Sequence, residues 1–254
     1  MAGRSREQSS HRGMDIPPTG ADVVDDVRMG DALVVATYNI HHGAGRDDAV
    51  DLDRIAEVVC STGAEIVGLQ ELDDGLERSG RADQARHLAE RLGREIAFFP
   101  TLERHGGRYG IGIVTAGVVE AHFERLPRRG TEEPRGAIVA RSGALWIVVT
   151  HLSRDRFSRT SQTRALASLV AELDGPVLVM GDFNQGLGSL GPLLEAGLAS
   201  DGLFHRTMGG GGWRRKGRHI DHILVGGGAA LRRSWTVESD ASDHLPLVAE
   251  VGMP

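Results

Sequence analysis

The sequence of 254 residues has few cysteines, lysines and aromatic residues: Cys60 is the single cysteine, Lys216 the single lysine, and aromatics make up 4%. One cysteine excludes a disulfide framework, so a reducing compartment is expected. No run approaches the roughly 18 apolar residues of a membrane helix, and residues 1–30 lack the apolar segment of a signal peptide. We therefore expect a cytoplasmic protein with neither an integral membrane segment nor a secretion signal.

The charge balance is mildly acidic, with 29 Lys and Arg against 35 Asp and Glu and a formal net charge of -6. This balance argues against a protein that coats nucleic acid, because such binding needs many cations set against phosphates. The length suits one large domain or two small ones. Residues 1–30 mix Gly, Pro, Ser and charges without apolar periodicity, which predicts a disordered leader before one domain over residues 31–254. We expect a monomer.

Short apolar runs alternate with amphipathic segments after the leader. The apolar runs predict strands at 33–37, 66–69, 96–99, 111–115, 137–140, 145–150, 177–180, 220–225 and 247–251. A first helix is predicted between an N-cap at Asp51 and a stop at Gly63, with Cys60 as a small core residue. Further helices are predicted at 82–92 and 160–173.

Polar residues gather just past the predicted strand ends or just before strand starts. These residues are Asn39, Glu71, His151, Asp182, Asn184, Asp221, Asp243 and His244. Functional side chains are often held on loops by a rigid sheet, where they converge without breaking the core. The pattern therefore predicts one site at one edge of the sheets.

The chemistry of this set favours a hard cation. Carboxylate and amide oxygens suit Mg²⁺ or Mn²⁺, whereas the sequence has no cysteine pair and no HExxH helix for zinc. Such a cation beside histidines suits attack of water on phosphorus. His244 could act as the base, with Asp221 accepting its other ring proton. The residues thus indicate metal-assisted hydrolysis of a phosphoester.

Seven short motifs follow one another in a fixed order. They are TYNIHHG at 37–43, LQE at 69–71, EPRGA at 133–137, THL at 150–152, GDFN at 181–184, IDHI at 220–223 and SDHLP at 242–246. This series resembles the motifs of the endonuclease/exonuclease/phosphatase superfamily of Mg²⁺-dependent hydrolases, and its small bacterial branch in particular. The resemblance covers residues 33–251.

The resemblance implies an α/β fold, a four-layer α-β-β-α sandwich of two packed mixed sheets. It implies that Glu71 is the main metal ligand, with Asn39 and Asp243 beside it. Asp182 and Asn184 would orient or deprotonate the attacking water and hold the phosphate. His244 would contact the phosphate or act as base with Asp221, and His151 would be the second histidine. Whether Asp182 or the His244–Asp221 pair takes the proton stays open.

Two positions depart from the family pattern. His41 stands where many members have Asp, and Ile111 stands where many bacterial relatives have Asn after a Tyr-Gly pair. The hydroxyl of Tyr109 could still donate to a phosphate. We expect substrate contacts from His41, from Arg135, and from a Gly-rich basic loop through Trp213, Arg214 and Arg215. His42 and His222 are interpreted as structural.

The function that we expect from the sequence is a phosphodiesterase using in-line attack of activated water. The alternatives are a nuclease on DNA or RNA, a phosphomonoesterase, and a non-catalytic binding module, the last disfavoured because the full residue set is present. Candidate substrates are a small phosphodiester, a nucleotide, a lipid head group or a nucleic acid.

Overall fold

A computed structural model of the protein describes residues 32–117, 120–209 and 217–254. The predicted leader and the loop residues Trp213, Arg214 and Arg215 lie outside the described residues. The strands of the described chain are β1 (Ala32–Asn39), β2 (Ile66–Asp74), β3 (Glu95–Arg104), β4 (Gly107–Thr115), β5 (Glu120–Arg125), β6 (Gly136–Ser142), β7 (Leu145–His151), β8 (Val177–Asp182), β9 (Asp221–Gly226), β10 (Ala230–Thr236) and β11 (Leu247–Gly252).

Three of the four helices in the described residues begin directly after a capping aspartate. The four helices are α1 (Leu52–Ser61), α2 (Gln84–Leu92), α3 (Arg156–Ala171) and the short α4 (Gly191–Glu195), with 3-10 turns at His41–Gly43, Glu77–Ser79 and Leu187–Ser189. The side chains of Asp51, Asp83 and Asp155 accept hydrogen bonds from backbone N–H groups in the first turns of α1, α2 and α3. No helix in these described ranges is long and apolar enough to cross a membrane.

The strands form two mixed sheets that pack face to face. The first has the order β10-β11-β1-β2-β4-β3 and the second the order β5-β6-β7-β8-β9. Strands β1 and β2 pair in parallel, as do β7 and β8. Apolar side chains of both sheets, such as Val35, Ile113, Ile147 and Met180, fill the space between them.

The outer faces of the two sheets are covered by helices. Helices α1 and α2 contribute Ile55, Val59 and Leu88 to a second core on the first sheet. Helices α3 and α4 contribute Leu166 and Leu193 to a third core on the second sheet. This arrangement confirms the predicted four-layer α-β-β-α sandwich.

Three features of the fold differ from the sequence-based prediction. Strands β5 and β10 were not predicted, because each lies at a sheet edge and carries mostly polar side chains. Helix α3 begins at Arg156 rather than at 160, because Asp155 caps it. Cys60 is exposed, so its prediction as a core residue was wrong; the buried face of α1 is formed by Leu52, Ile55, Ala56 and Val59.

Gly181 allows β8 to approach β7 directly before Asp182. A Cβ atom at this position would lie 1.9 Å from the carbonyl oxygen of Thr150, and the φ angle of Gly181 is 154°. Gly181 pairs with Thr150 on β7, and the next pair along the same ladder is His151 with Asp182. The absence of a side chain at Gly181 therefore helps to bring His151 and Asp182 opposite each other on adjacent strands.

Gly181→Ala should lower the free energy of unfolding by about 3 kcal/mol or more, because backbone atoms cannot yield to a new methyl group. Urea denaturation would measure the change. Gly188→Ala is the matched control, since a Cβ there meets no atom within 4 Å. Equal stabilities of the two variants would contradict the steric account.

Candidate active site

Polar side chains from both sheets meet at one end of the sandwich, where several strands end. Asn39 ends β1 and Glu71 lies within β2 of the first sheet, whereas His151 and Asp182 end β7 and β8 of the second. Asp221 opens β9 directly opposite Asp182. These predicted site residues therefore converge because strand register places them at the same end of neighbouring strands.

The side chain of Asn39 joins the two sheets. Its Nδ2 donates to Oε1 of Glu71 at 3.0 Å and to Oδ2 of Asp182 at 3.1 Å. Its Oδ1 accepts the backbone N–H of His41 at 3.0 Å. The amide is thus fixed by three partners, and one lone pair of its oxygen is left for a ligand.

A buried acid–histidine cluster lies next to this amide. Nδ1 of His244 is 2.9 Å from Oδ2 of Asp221, and Nε2 of His244 is 3.8 Å from Oδ2 of Asp182. Thr207 supports Asp221 by accepting its backbone N–H through Oγ1 at 3.2 Å. The two carboxylates and the imidazole therefore form one electrostatic unit.

The protonation of this cluster follows from its burial and its charges. Burial opposes the charged form of His244, but the carboxylates of Asp221, Asp182 and Asp243 outweigh it and raise the pKa of His244 to about 10. Burial, then the charge of Asp221, raises the pKa of Asp182 to about 7. At neutral pH His244 is an imidazolium, whereas Asp182 is poised between its two forms.

In contrast to His244, His151 is held in its neutral form by burial and by the neighbouring Arg135. Nη1 of Arg135 donates to Nδ1 of His151 at 2.9 Å, which leaves the ring proton on Nε2, 3.5 Å from Oδ2 of Asp182. Burial, followed by the charge of Arg135, keeps the pKa of His151 well below its usual range. A neutral histidine and a cationic histidine therefore flank the same carboxylate.

Tyr109 and Asn184 complete the walls of the site. The hydroxyl of Tyr109 accepts from Nη1 of Arg135 at 3.4 Å, and burial raises the pKa of Tyr109, so the phenol is neutral. The backbone N–H of Asn184 donates to Oδ1 of Asp182 at 2.8 Å, and its Nδ2 donates to the carbonyl of Leu152 at 3.0 Å. Both residues lie where the sequence predicts them.

Asp243 lies at the mouth of the site, with its side chain 39% exposed. The preceding Ser242 ties this turn to β1, because its Oγ donates to the carbonyl of Asn39 at 2.8 Å. Nδ1 of His41 lies 3.9 Å from Oδ1 of Asp243. The predicted ligand Asp243 and the predicted substrate residue His41 thus stand beside Asn39.

Residues directly before the basic loop also contact the turn that carries Asp243 and His244. The N–H of Gly209 donates to the carbonyl of Asp243 at 3.0 Å, and Met208 bridges to both Arg218 and His244. The sequence places Trp213, Arg214 and Arg215 between Gly209 and Arg218, outside the described residues. Their predicted substrate contacts stay predictions.

Backbone strain is concentrated at the site. The φ angles are 47° at His41, 46° at His42, 65° at Glu71 and 53° at Asn184. Glu71 sits where the β2–β4 register shifts between Gln70 and Leu72. Left-handed conformations of non-glycine residues are costly and gather at functional sites, where the surrounding structure holds them in place.

Three polar residues that sequence reasoning missed support this strained region. Gln84 accepts the N–H of Asp73 through Oε1 at 2.9 Å and donates to the carbonyl of His42 through Nε2 at 2.7 Å. Asp73 is buried and binds Arg78. Their spacing after Glu71 is visible in the sequence, but the burial of Asp73 and Gln84 is not, because it depends on α2 packing over β2.

His42 and His222 lie outside the cluster around Asp182 and contact neighbouring loop residues instead. Nε2 of His222 donates to the carbonyl of Gln185 at 2.8 Å, and its ring packs edge-on to Phe183. His42 contributes its carbonyl oxygen to Gln84. These contacts agree with the interpretation of both residues as supports of the loops.

Two sets of side chains could hold a metal ion. Asp182, Asp221 and His244 have ligand atoms that all lie within 4.8 Å of one another, but Asp221 and His244 already bind each other. Glu71 and Asn39, which are joined by a hydrogen bond, and Asp243 at the mouth are the oxygen donors that the sequence predicts as ligands. Such donors fit Mg²⁺ or Mn²⁺, and the exposure of Asp243 leaves room for water ligands.

The family model that matches the sequence is described as the Endonuclease/Exonuclease/phosphatase family, and it matches residues 36–244. Among curated proteins, none matches the chain. The matched residues run from β1 to His244, so they include every predicted site residue.

Several solved structures share the fold. An endonuclease/exonuclease/phosphatase from Beutenbergia cavernae DSM 12333 is 21% identical with a TM-score of 0.74, covering 88% of this chain and 72% of that chain. A family protein from Bacteroides thetaiotaomicron is 20% identical with a TM-score of 0.67, covering 88% and 95%. D. rerio TDP2, complexed with single strand DNA product, is 18% identical with a TM-score of 0.67, covering 88% and 100%.

The raised pKa of His244 makes a prediction about stability. A histidine whose pKa is about 10 in the folded chain and about 6.5 in the unfolded chain stabilises the fold fully below pH 6.5, and this contribution is lost as pH rises toward 10. The free energy of unfolding should therefore fall between pH 7.5 and 9.5. Urea denaturation in EDTA would measure it.

The variant His244→Gln should flatten this slope, because it removes the titrating imidazole. His222→Gln is the control, since burial lowers the pKa of His222 and its titration lies outside this range. A slope in His244→Gln equal to that of the wild type would show that another group is responsible.

Proposed function

The chain belongs to the endonuclease/exonuclease/phosphatase family, and we propose that it is a divalent-metal-dependent phosphodiesterase that works by in-line attack of activated water. Family membership supports the hydrolysis of phosphoesters in general. The single observation that carries the finer proposal is the double hydrogen bond of Asn39, which brings Glu71 of one sheet and Asp182 of the other to one amide.

Glu71, Asp243 and Asn39 would hold the ion, which we take to be Mg²⁺ or Mn²⁺. When bound there, the ion would polarise a phosphoryl oxygen and stabilise charge on the leaving oxygen. The strained backbone of Glu71 supports this assignment, because its left-handed conformation at the register shift is maintained by neighbouring contacts rather than by β-sheet pairing.

Asp182 is our choice for the residue that orients and deprotonates the attacking water. Its pKa of about 7 lies near neutral pH, where a general base works best. The N–H of Asn184 fixes one carboxylate oxygen of Asp182, and Asn39 fixes the other. His244, already protonated by its pairing with Asp221, would donate from Nε2 to a nonbridging phosphate oxygen.

His151, Arg135 and Tyr109 would bind the phosphate from the other side. The neutral His151 offers an N–H from Nε2, and Tyr109 offers its hydroxyl. Glu133 lies 3.0 Å from Nη1 of Arg135, so part of the charge of Arg135 is balanced inside the protein. This arrangement favours a singly charged diester over a doubly charged monoester, which would need more positive charge.

A nuclease acting on single-stranded DNA is the second candidate. One observation favours it: D. rerio TDP2, which has the same fold, was solved in complex with a single strand DNA product. The net charge of -6 and the small number of aromatic residues weigh against tight binding of a duplex. The cytoplasmic location and the monomeric state stay predictions from the sequence.

A panel of substrates tests the proposed function. Bis(p-nitrophenyl) phosphate, p-nitrophenyl phosphate, single-stranded DNA and plasmid DNA would each be incubated with Mg²⁺, with Mn²⁺ and with EDTA. We expect turnover of the diester that requires a divalent cation and exceeds turnover of the monoester. Turnover that persists in EDTA, or hydrolysis of the monoester alone, would overturn the proposal.

Two variants should separate ion binding from water activation. Glu71→Gln should lose more activity at low Mg²⁺ than at high Mg²⁺, because a neutral amide binds a hard cation weakly. Asp182→Asn should instead lower kcat by about a hundredfold or more at saturating Mg²⁺. A loss in Glu71→Gln that is the same at every Mg²⁺ concentration, or wild-type kcat in Asp182→Asn, would contradict the assigned roles.

A further inference from the structure

Arg78 is a fixed cation beside the candidate site that neither the sequence motifs nor the proposed mechanism uses. Its Nε and Nη2 donate to the two carboxylate oxygens of Asp73 at 2.8 and 2.7 Å. The carboxylate of Asp73 is fully buried and also accepts from Oγ of Ser79 at 2.9 Å. Because two parallel hydrogen bonds hold one edge of the guanidinium, its plane and direction are set.

This mode of anchoring leaves the third nitrogen of Arg78 free. Within the described residues, Nη1 has no hydrogen-bond partner, and the side chain remains 36% exposed. An arginine that served only to neutralise Asp73 could be buried with its carboxylate. The guanidinium therefore presents donors to solvent that the fold itself does not use.

Arg78 lies beside Tyr109, one of the residues that line the candidate site. The guanidinium carbon lies 5.5 Å from the centre of the Tyr109 ring, whose hydroxyl faces Arg135. The charge of Arg78 also reaches His42, whose pKa is lowered by burial and then by this cation. Arg78 thus lies against the ring of Tyr109, where Asp73 and then the charge of Glu71 raise the pKa of Arg78, and Arg135 lies at the hydroxyl of Tyr109.

We propose that Arg78 is a specificity-determining residue that binds a second anionic group of the substrate, next to the phosphoester that is cleaved. This inference rests on the proposed function, since it takes the site around Asp182 to hold the scissile phosphate. Both cations are paired with a carboxylate, Arg135 with Glu133 and Arg78 with Asp73, but Arg78 is 36% exposed and its Nη1 has no partner among the described residues. A substrate with a neighbouring phosphate or carboxylate would therefore gain a contact that a singly charged diester lacks.

Equilibrium binding tests the proposal without requiring turnover. Two pairs of probes are used, and in each pair the second member has one more phosphate or phosphonate group. The first pair is inorganic phosphate and methylenediphosphonate, whose groups lie close together. The second pair is thymidine 5′-phosphate and thymidine 3′,5′-bisphosphate, whose groups lie further apart. Calorimetry in Mg²⁺ should show that the wild type binds the doubly phosphorylated member of at least one pair about tenfold more tightly. Such a preference is the size expected for one charge-assisted hydrogen bond.

Arg78→Gln should abolish that preference while binding the singly phosphorylated probes nearly as the wild type does. Arg81→Gln is the matched control, because Arg81 is exposed, lies three residues further on, and pairs only loosely with Glu77 at 4.0 Å. It should keep the preference, which would show that the effect is not one of net charge.

Loss of Arg78 could unfold the chain by leaving the carboxylate of Asp73 buried and unpaired. The double variant Asp73→Asn with Arg78→Gln removes both partners and should fold while still lacking the preference. No preference in the wild type, or a preference retained in a folded Arg78 variant, would overturn the proposal. A preference that Arg78→Gln loses in a protein that cleaves no phosphodiester would instead refute the proposed function and leave Arg78 as an anion site.

Discussion

Two buried carboxylates, Asp182 and Asp221, face each other on adjacent strands, and the rest of the site is arranged around the repulsion between them. His244 offsets that repulsion by placing an imidazolium against both. Its loop is fixed in turn by Ser242, which bonds to the carbonyl of Asn39. The contacts of His244 and Ser242 thus join the two facing carboxylates to the end of β1.

The sequence predicted the residues of this cluster because they follow or precede buried strands, which are visible as short apolar runs. It predicted the sandwich through its resemblance to a family. Strands β5 and β10 were not predicted, since strands at the edge of a sheet need not be apolar. Asp73, Arg78 and Gln84 were also not predicted, because the burial of Asp73 and Gln84, and with it the pairing of Arg78 with Asp73, depends on which distant helix covers them. Local patterns reveal where strands end, but not which polar groups will be paired beneath a helix.

Asn39 shows how a predicted role can be refined by geometry. The resemblance implies a metal ligand, and the structure adds that its amide nitrogen connects Glu71 with Asp182 across the gap between the sheets. A single side chain therefore couples the carboxylate assigned to the ion with the carboxylate assigned to water. Gln84 has a similar bridging role on the outer side, where it connects α2 with Asp73 in β2 and with the strained turn at His42.

Strand β1 pairs with β11 over six residue pairs, from Ala32 with Gly252 to Thr37 with Leu247. During synthesis on the ribosome, β1 is made about two hundred residues before its partner. Asp243 and His244 are also made late, so the cluster cannot assemble before these two residues have left the ribosome. The six-stranded sheet is completed only after β11 has been made, which leaves one edge of β1 unpaired and in need of protection from aggregation until then.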